Sequence, residues 1–158
     1  MTFEQFEEFV LSDECYWNHD VSFIDEFGLQ HYPIFEDNFQ YQIETAKKIA
    51  EQKVTIKVEQ MERRYHWKDR TIHFFYNPIN GPTFDTHIDP TDVIIDCHDG
   101  IKYMEVNGKE HKLVPGDKLL IHAGSPHKAL NYEKALMASH GILDTETTNR
   151  ICKDNRDL

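Results

Sequence analysis

The stretch that decides the fold of this chain is residues 116–131, which read GDKLLIHAGSPHKALN. Residues 118–122 have the short, mainly apolar character of a β-strand. Residues 123–126 (Ala-Gly-Ser-Pro) mark a turn, and His127 and Asn131 follow it. The stretch therefore predicts a short strand and a turn that lead to a histidine.

The sequence on both sides of this stretch continues as short strands separated by turns. Val54, Ile56 and Val58 alternate with polar residues, as in a strand with one buried face. Asn107-Gly108 lies between two further candidates and is a strong hairpin signal. The other strand candidates are residues 71–76, 93–97, 101–106, 109–114 and 135–139. This pattern is typical of a β-sandwich or a β-barrel.

The two ends of the chain differ from this β-rich middle. Apolar residues recur at helical spacing in residues 2–11 and again in residues 38–52. The residues from 144 onward are mainly polar. We therefore predict one domain with a helical N-terminal preface over residues 1–52, a β-barrel over residues 53–143 and a polar tail over residues 144–158.

Composition argues against several classes of partner and location. The formal net charge is −11, whereas nucleic acids and anionic membranes require a basic surface. No apolar run approaches the roughly 20 residues of a membrane span, and the N-terminus lacks a secretory signal. Cys15, Cys97 and Cys152 form no C-x-x-C pair, so neither a disulfide framework nor a thiolate zinc site is expected. We expect a cytoplasmic protein.

The group His87-Ile88-Asp89 is the first candidate for chemistry. In a strand, residues i and i+2 point to the same face, so the imidazole and the carboxylate would point together. One more inward histidine would complete a two-histidine, one-carboxylate set, which holds a divalent metal and leaves coordination positions open. On its own, H-x-D is a weak signal, and a surface turn beside Pro90 is the simpler interpretation of this group.

Residues 116–131 resemble the second cupin motif, G-x5-P-x-G-x-x-H-x-x-x-N, at every specified position except His122, which replaces the proline. The first cupin motif is matched in part, by Gly81, His87 and Gly100. Asp89 stands in place of its second histidine, and an apolar residue stands in place of its glutamate. The resemblance implies a mainly β fold, a cupin (double-stranded β-helix or jelly-roll) barrel with N-terminal helices.

The resulting H-x-D…H pattern resembles that of the Fe(II)- and 2-oxoglutarate-dependent oxygenases, in particular the Jumonji-type branch. The resemblance implies that His87, Asp89 and His127 are the catalytic iron ligands. It also implies that Lys102, the lysine of a G-x-K pattern, binds the distal carboxylate of 2-oxoglutarate. A solvent-facing Lys102 is the alternative. Asn131 would either hydrogen-bond near this site or close a strand end.

Other functions remain compatible with the sequence. The 40 positions from His87 to His127 are the compact spacing of simple cupins, which favours a non-catalytic cupin that binds a small ligand or a metal. A 2-oxoglutarate-independent cupin dioxygenase or isomerase is a third possibility. The prime substrate, a small molecule or a peptide, is left open, and a homodimer is compatible with the sequence.

The remaining histidines, Tyr76 and Cys97 have simpler structural interpretations. Secondary candidates for the pocket wall are His73, Tyr76 and His140, and Tyr76 is also a candidate hydrogen-bond donor to 2-oxoglutarate. His122, close to His127, is a secondary candidate for a metal ligand. We expect His98 and His111 to be exposed, and Cys97 to be a small buried apolar residue without a paired base.

Overall fold

The structure, a computed structural model, describes residues 1–10, 12, 14–15, 21–25, 27–31, 55–58 and 70–143. These residues form one helix, α1 at Phe3–Val10, and ten strands. The strands are β1 at Val21–Ile24, β2 at Gln30–His31, β3 at Thr55–Val58, β4 at Arg70–Asn77, β5 at Val93–Gly100, β6 at Lys102–Val106, β7 at Lys109–Leu113, β8 at Lys118–Ile121, β9 at His127–Leu130 and β10 at Ala135–Ile142. In this described part, no helix has the length and apolar character needed to cross a membrane.

The strands form two antiparallel sheets. The large sheet has the order β2-β1-β3-β4-β10-β5-β8, and the small sheet has the order β7-β6-β9. Strand β10 pairs along most of its length with β4 on one side and β5 on the other. An isolated bridge between His87 and His127 links the β4–β5 connection to the small sheet. The candidate metal ligands therefore lie where the two sheets approach each other.

Alternate residues of the large sheet face two apolar clusters. The helix-side cluster packs α1 against the sheet and contains Phe6, Phe9, Val10, Cys15, Val21, Ile56, Val58, Ile72, Phe74, Leu136 and Ala138. The barrel cluster joins the two sheets and contains Val93, Ile95, Cys97, Met104, Val106, Leu113, Leu119, Ile121 and Met137. Burying apolar side chains contributes about 1.5–3 kcal/mol each, so both clusters stabilise the fold.

Helix α1 begins with a reciprocal pair of hydrogen bonds. The backbone N–H of Gln5 donates to Oγ1 of Thr2, and the backbone N–H of Thr2 donates to Oε1 of Gln5. This capping box satisfies donors that the first turn leaves without helical partners. Phe6, Phe9 and Val10 then bury one face of the helix against the large sheet. The helix predicted over residues 2–11 is thus confirmed.

The β6–β7 hairpin turns at Asn107-Gly108, as the sequence predicts. Both residues have positive φ, 52° and 78°, which the mirror-image turns of two-residue hairpins require. Val106 and Lys109 close the hairpin as paired residues. This hairpin fixes the register of β6, the strand that carries Lys102.

The two-sheet β architecture agrees with the predicted mainly β fold but differs from the sequence prediction in several local details. Every predicted strand is present, with ends shifted by up to three residues, but β1, β2 and β9 were not predicted. The expectation of one buried face for β3 is wrong, because its four residues are all buried. The predicted helix over residues 38–52 and the predicted tail over residues 144–158 lie outside the described residues.

Candidate metal centre

His87 and His127 are held opposite each other by their own backbones. The N–H of His87 donates to the carbonyl of His127 at 3.0 Å, and the N–H of His127 donates to the carbonyl of His87 at 2.9 Å. The centroids of their rings are 4.4 Å apart. His127 begins β9, whereas His87 lies in the connection between β4 and β5. The expectation that the H-x-D group lies within a regular strand is therefore wrong, since only His87 makes a bridge.

Asp89 completes the cluster. Its Oδ2 lies 3.0 Å from Nε2 of His127 and 3.9 Å from Nε2 of His87. One possible ligand atom from each of the three residues lies within 4.8 Å of the others. The intervening Ile88 is 62% exposed, and His87 and Asp89 on either side of it turn towards His127. Within the described residues, no second group of this kind exists.

The hydrogen bonds of the two imidazole rings indicate which nitrogens face the cluster. Nδ1 of His87 is 2.8 Å from the carbonyl of Asp85, and Nδ1 of His127 is 2.9 Å from the carbonyl of Ser125. Because a carbonyl only accepts, Nδ1 carries the proton in both rings and Nε2 faces Asp89. Two nitrogen lone pairs and a carboxylate oxygen then converge, an arrangement that a proton or a cation stabilises.

This donor set fits a divalent metal ion. Two neutral imidazoles and one carboxylate are the ligands of open, three-residue iron sites. His127 is 5% exposed, whereas His87 and Asp89 are 43% and 36% exposed, so one side of the cluster is accessible. The residues could therefore hold the ion on one face and leave the other face open to small molecules.

Two loops around the cluster are tied together by backbone donors. The N–H of Gly124 donates to the carbonyl of Asp89 at 3.0 Å. The N–H of Ala123 donates to Oδ1 of Asp92 at 2.9 Å. The turn before His127 is thus attached to the segment that carries the other two candidate ligands, which restricts their relative positions.

Lys102 faces the interior and not the solvent. It is fully buried, and its Nζ donates to Oδ1 of Asn77 at 2.9 Å and to Oδ1 of Asn131 at 2.6 Å. Burial lowers the pKa of Lys102 to about 7. The amide of Asn131 donates in turn to the carbonyls of Gly81 and Pro82. Asn131 therefore contacts the lysine that was predicted to bind a co-substrate.

One cavity of about 590 Å³ connects these groups. His87, Asp89, His127 and Lys102 all line it, together with the aromatic and thioether side chains Phe75, Phe84, Met104 and Met137. Its other polar wall residues are Lys57, His73, Asn77, Thr83, Asp85, Thr86 and Ser139. Of the secondary candidates for the pocket wall, His73 therefore lines the cavity.

His98 and His140 lie elsewhere, on the helix side of the large sheet. Their Nε2 atoms are 3.2 Å and 3.5 Å from Oδ2 of Asp96. Burial raises the pKa of Asp96, but the hydrogen bonds and charges of the two histidines outweigh burial and hold it below its ordinary value. The expectation that His98 is exposed is wrong, because its ring packs 5.1 Å from that of Phe74.

Tyr76, His122 and Cys97 are not among the residues that line the cavity. The hydroxyl of Tyr76 donates to Oε1 of Glu7, at the edge of the helix-side cluster. His122 is 69% exposed near Asp92. Cys97 is buried, and burial raises the pKa of its thiol to about 11, which opposes a nucleophilic role at neutral pH.

The sequence interpretation missed Lys57, Asn77 and Phe84. Lys57 alternates with Ile56 and Val58, so the period-2 pattern places it on a solvent face. In the structure, Lys57 is buried, and it lines the cavity instead of facing solvent. Asn77 belongs to an Asn-Pro pair, which reads as a turn signal. No local signal distinguishes these side chains from surface residues.

Among solved structures, the chain is similar to YcfD, a ribosomal oxygenase from Escherichia coli. The identity is 18% and the TM-score is 0.64, and the match covers 96% of this chain and 46% of YcfD. The chain thus spans less than half the length of that protein. YcfD has been solved in complex with cobalt and succinic acid, and with cobalt and 2-oxoglutarate.

Smaller barrels match only part of the chain. A cupin superfamily protein from Desulfitobacterium hafniense is 18% identical, with a TM-score of 0.48, and the match covers 57% of this chain and 78% of that one. KdgF from Halomonas sp. is also 18% identical, with a TM-score of 0.47, and the match covers 59% of this chain and 83% of that one. No family model and no curated protein matches the sequence. The chain shares a cupin-type barrel fold with YcfD, whose match covers nearly all of it.

Proposed function

We propose that this chain is a metal-dependent oxygenase of the hydroxylase type that uses Fe(II) and 2-oxoglutarate. One observation carries the proposal. A two-histidine, one-carboxylate cluster and a fully buried lysine line the same cavity. A buried ammonium needs an anionic partner, and a di-acid co-substrate supplies one carboxylate to the lysine while its other end reaches the metal. The likeness in fold to an oxygenase solved with cobalt and 2-oxoglutarate supports it.

In this proposal, Nε2 of His87, Oδ2 of Asp89 and Nε2 of His127 hold the iron. When bound, the metal supplies open coordination positions and electrons, so that O₂ and 2-oxoglutarate convert a substrate R–H into R–OH with release of succinate and CO₂. The carbonyls of Asp85 and Ser125 keep both imidazoles in the tautomer that presents Nε2 to the ion.

Lys102 binds the distal carboxylate of 2-oxoglutarate. Asn77 and Asn131 accept two of its three N–H donors and so fix the direction of the third. The carboxylate restores the charge that burial disfavours, so the lysine binds as an ammonium ion. Burial also keeps water from competing for this contact.

A second candidate function is a cupin that binds a metal without 2-oxoglutarate. The partial exposure of His87 and Asp89 favours it, because metal binding alone does not require a site that excludes water. In that case Lys102 is a structural residue satisfied by its two asparagines. The two candidates differ in whether metal and 2-oxoglutarate bind together.

The test is an anaerobic titration with Fe(II) followed by 2-oxoglutarate. A weak visible charge-transfer band should appear when 2-oxoglutarate chelates the ferrous ion. We expect Asp89→Ala to lose iron binding and Lys102→Met to retain iron but weaken 2-oxoglutarate binding at least about 100-fold. Lys112→Met, an exposed lysine on β7, is the matched control and should behave as the wild type. Iron binding without a band would favour the second candidate.

A further inference from the structure

The inward face of β6 carries three buried side chains in a row. Lys102, Met104 and Val106 are buried, whereas Tyr103 and Glu105 between them are partly exposed. Alternate residues of a strand point to the same face, so the three buried side chains face the interior of the barrel together. Lys102 and Met104 both line the cavity. Met104 therefore lies on the same wall as the lysine, two residues further along the strand.

Pairing with β9 places the metal end of the cavity on this wall too. Val106 pairs with the candidate metal ligand His127, and Met104 pairs with Ala129. Four residues of a strand span about 13 Å, which separates the backbone at Lys102 from the backbone beside His127. Met104 lies at the midpoint of this span. A ligand that joins the ammonium of Lys102 to a metal ion held by His127 therefore passes the side chain of Met104.

The large sheet repeats this order of side chains on the opposite wall. Asn77 of β4 lies at the lysine end, where its Oδ1 accepts a hydrogen bond from Lys102 at 2.9 Å. Phe75, two residues earlier, pairs with Met137 of β10, and both line the cavity. Met104 and Met137 belong to the barrel cluster, and Phe75 packs against it. The middle of the cavity is therefore apolar on both walls, between a polar lysine end and a polar metal end.

This order of groups matches the co-substrate of the proposed function. 2-Oxoglutarate has a carboxylate at one end, a 2-oxo acid at the other and only methylene groups between them. When both ends are bound, a di-acid with an additional methylene has to bend sideways into the wall. Met104 is 2% exposed, and closely packed side chains do not give way without a cost in free energy. The wall at Met104 therefore favours the shorter chain.

We propose that Met104 selects the length of the co-substrate, because its thioether side chain packs against the methylene groups of 2-oxoglutarate and excludes the bend of a longer 2-oxo di-acid. This inference rests on the proposed oxygenase function and adds a specificity-determining residue to it. Methionine suits this position because its unbranched, polarisable side chain fills irregular space. Shortening the side chain opens space at the point where the longer di-acid has to bend.

The experiment compares 2-oxoglutarate with 2-oxoadipate, which has an additional methylene. Each is titrated anaerobically into the protein loaded with Fe(II), and binding is followed by calorimetry and by the charge-transfer band. The measured quantity is the ratio of the two dissociation constants. We expect the wild type to bind 2-oxoglutarate at least about 10-fold more tightly than 2-oxoadipate, and Met104→Ala to reduce this preference to less than about 3-fold.

Further variants separate selectivity from stability. Met104→Leu nearly conserves the volume and should keep the preference, whereas the milder truncation Met104→Val should lower it in part. Ile121→Ala is the matched control, because Ile121 is 2% exposed in the same apolar cluster but is not among the residues that line the cavity. It should lose stability and keep the wild-type preference. Near-ultraviolet circular dichroism and thermal unfolding verify folding, and Met104→Val decides the outcome if Met104→Ala does not fold.

Three results would overturn the inference. The wild type could bind the two di-acids equally well, the truncated variants of Met104 could keep the wild-type preference, or Ile121→Ala could lose that preference to the same extent. Each of these results leaves the oxygenase function in place, because the band with 2-oxoglutarate still forms in the wild type. If the wild type forms no band, the oxygenase function itself fails, and the inferred role of Met104 fails with it.

Discussion

Strands β4, β5 and β10 send alternate residues to two different environments. Ile72 and Phe74 of β4 face the helix-side cluster, whereas His73, Phe75 and Asn77 face the cavity. The helix side is filled mainly by apolar and aromatic side chains, among them the stacked rings of Phe6 and Phe74, whose centroids are 6.2 Å apart. Its polar exception is the group of Asp96, His98 and His140. The cavity side carries imidazoles, amides and ammonium groups. Successive residues of one strand therefore have different roles: one set packs the apolar cluster that stabilises the fold, and the other set lines the cavity where a ligand would bind.

Neighbouring phenylalanines on β4 give the largest expected contrast. Phe74 is 1% exposed in the helix-side cluster, and Phe74→Ala should lower the free energy of unfolding by about 3–5 kcal/mol. Phe75 lines the cavity, where space already exists, so Phe75→Ala should cost only about 1–2 kcal/mol and chiefly weaken ligand binding. Urea unfolding of both variants measures the difference. Equal losses would contradict the separation of the two faces.

Lys102 should make the cavity side a source of pH-dependent instability. Its pKa falls from 10.5 when unfolded to about 7 when folded, so the unfolded state binds more protons between these values. The free energy of unfolding should therefore increase with pH across that window because of Lys102, by about 2 kcal/mol from pH 7 to pH 9.

The measurement is the difference in urea stability between the wild type and Lys102→Met at several pH values. Lys102→Met should be the more stable protein at pH 7, and its advantage should shrink as the pH rises towards 10. A difference that does not change with pH would mean that Lys102 keeps its ordinary pKa in the folded protein.

The buried carboxylate on the helix side should have the opposite pH dependence. Asp96 has a pKa below its ordinary value because His140 and His98 outweigh the effect of burial. The interactions of Asp96 with the two histidines therefore stabilise the folded state above pH 4, and this stabilisation is lost as the pH falls further. Asp96→Asn should cost about 2 kcal/mol at pH 6, with metal binding unchanged. If this cost persisted at the lowest pH at which the protein stays folded, the assigned ion pairs would be wrong.

The smallest effect is expected at the rim of the helix side. The hydroxyl of Tyr76 donates to the carboxylate of Glu7 at 3.1 Å in an exposed position. Because solvent competes for such contacts, Glu7→Gln should change the free energy of unfolding by less than about 0.5 kcal/mol. The same urea experiment measures it, and a loss above about 1 kcal/mol would show that the apolar cluster depends on its polar edge.

Local patterns in the sequence were sufficient to predict most of the barrel strands. The β-branched and aromatic residues of 71–76 predict β4, and Asn107-Gly108 predicts the turn between β6 and β7. Residues 135–139, another short strand candidate, lie in β10. Strand β9 was missed, because its four residues are held by pairing with β6 and by the bridge to His87, neither of which is local. The short β1 and β2 were missed because the leading segment was interpreted as helical.

The sequence predicted only part of the candidate site. The spacing of His87, Asp89 and His127 relative to known motifs predicts that they meet, and the structure brings them together. The same motif comparison selected Lys102, which faces the cavity. Lys57 and Asn77 could not be selected, because a polar residue in an alternating strand looks identical whether it faces solvent or a cavity.

Each imidazole of the cluster is oriented from within its own short segment. Asp85 supplies the carbonyl for His87, and Ser125 supplies the carbonyl for His127, in each case from two positions earlier. A segment of three consecutive residues therefore contains both the imidazole and the carbonyl that sets its orientation and tautomer. The barrel then brings two such segments together through the reciprocal backbone hydrogen bonds of His87 and His127. For protein design, the two segments are a small unit: they can be introduced wherever two extended segments of a scaffold exchange backbone hydrogen bonds in the same way.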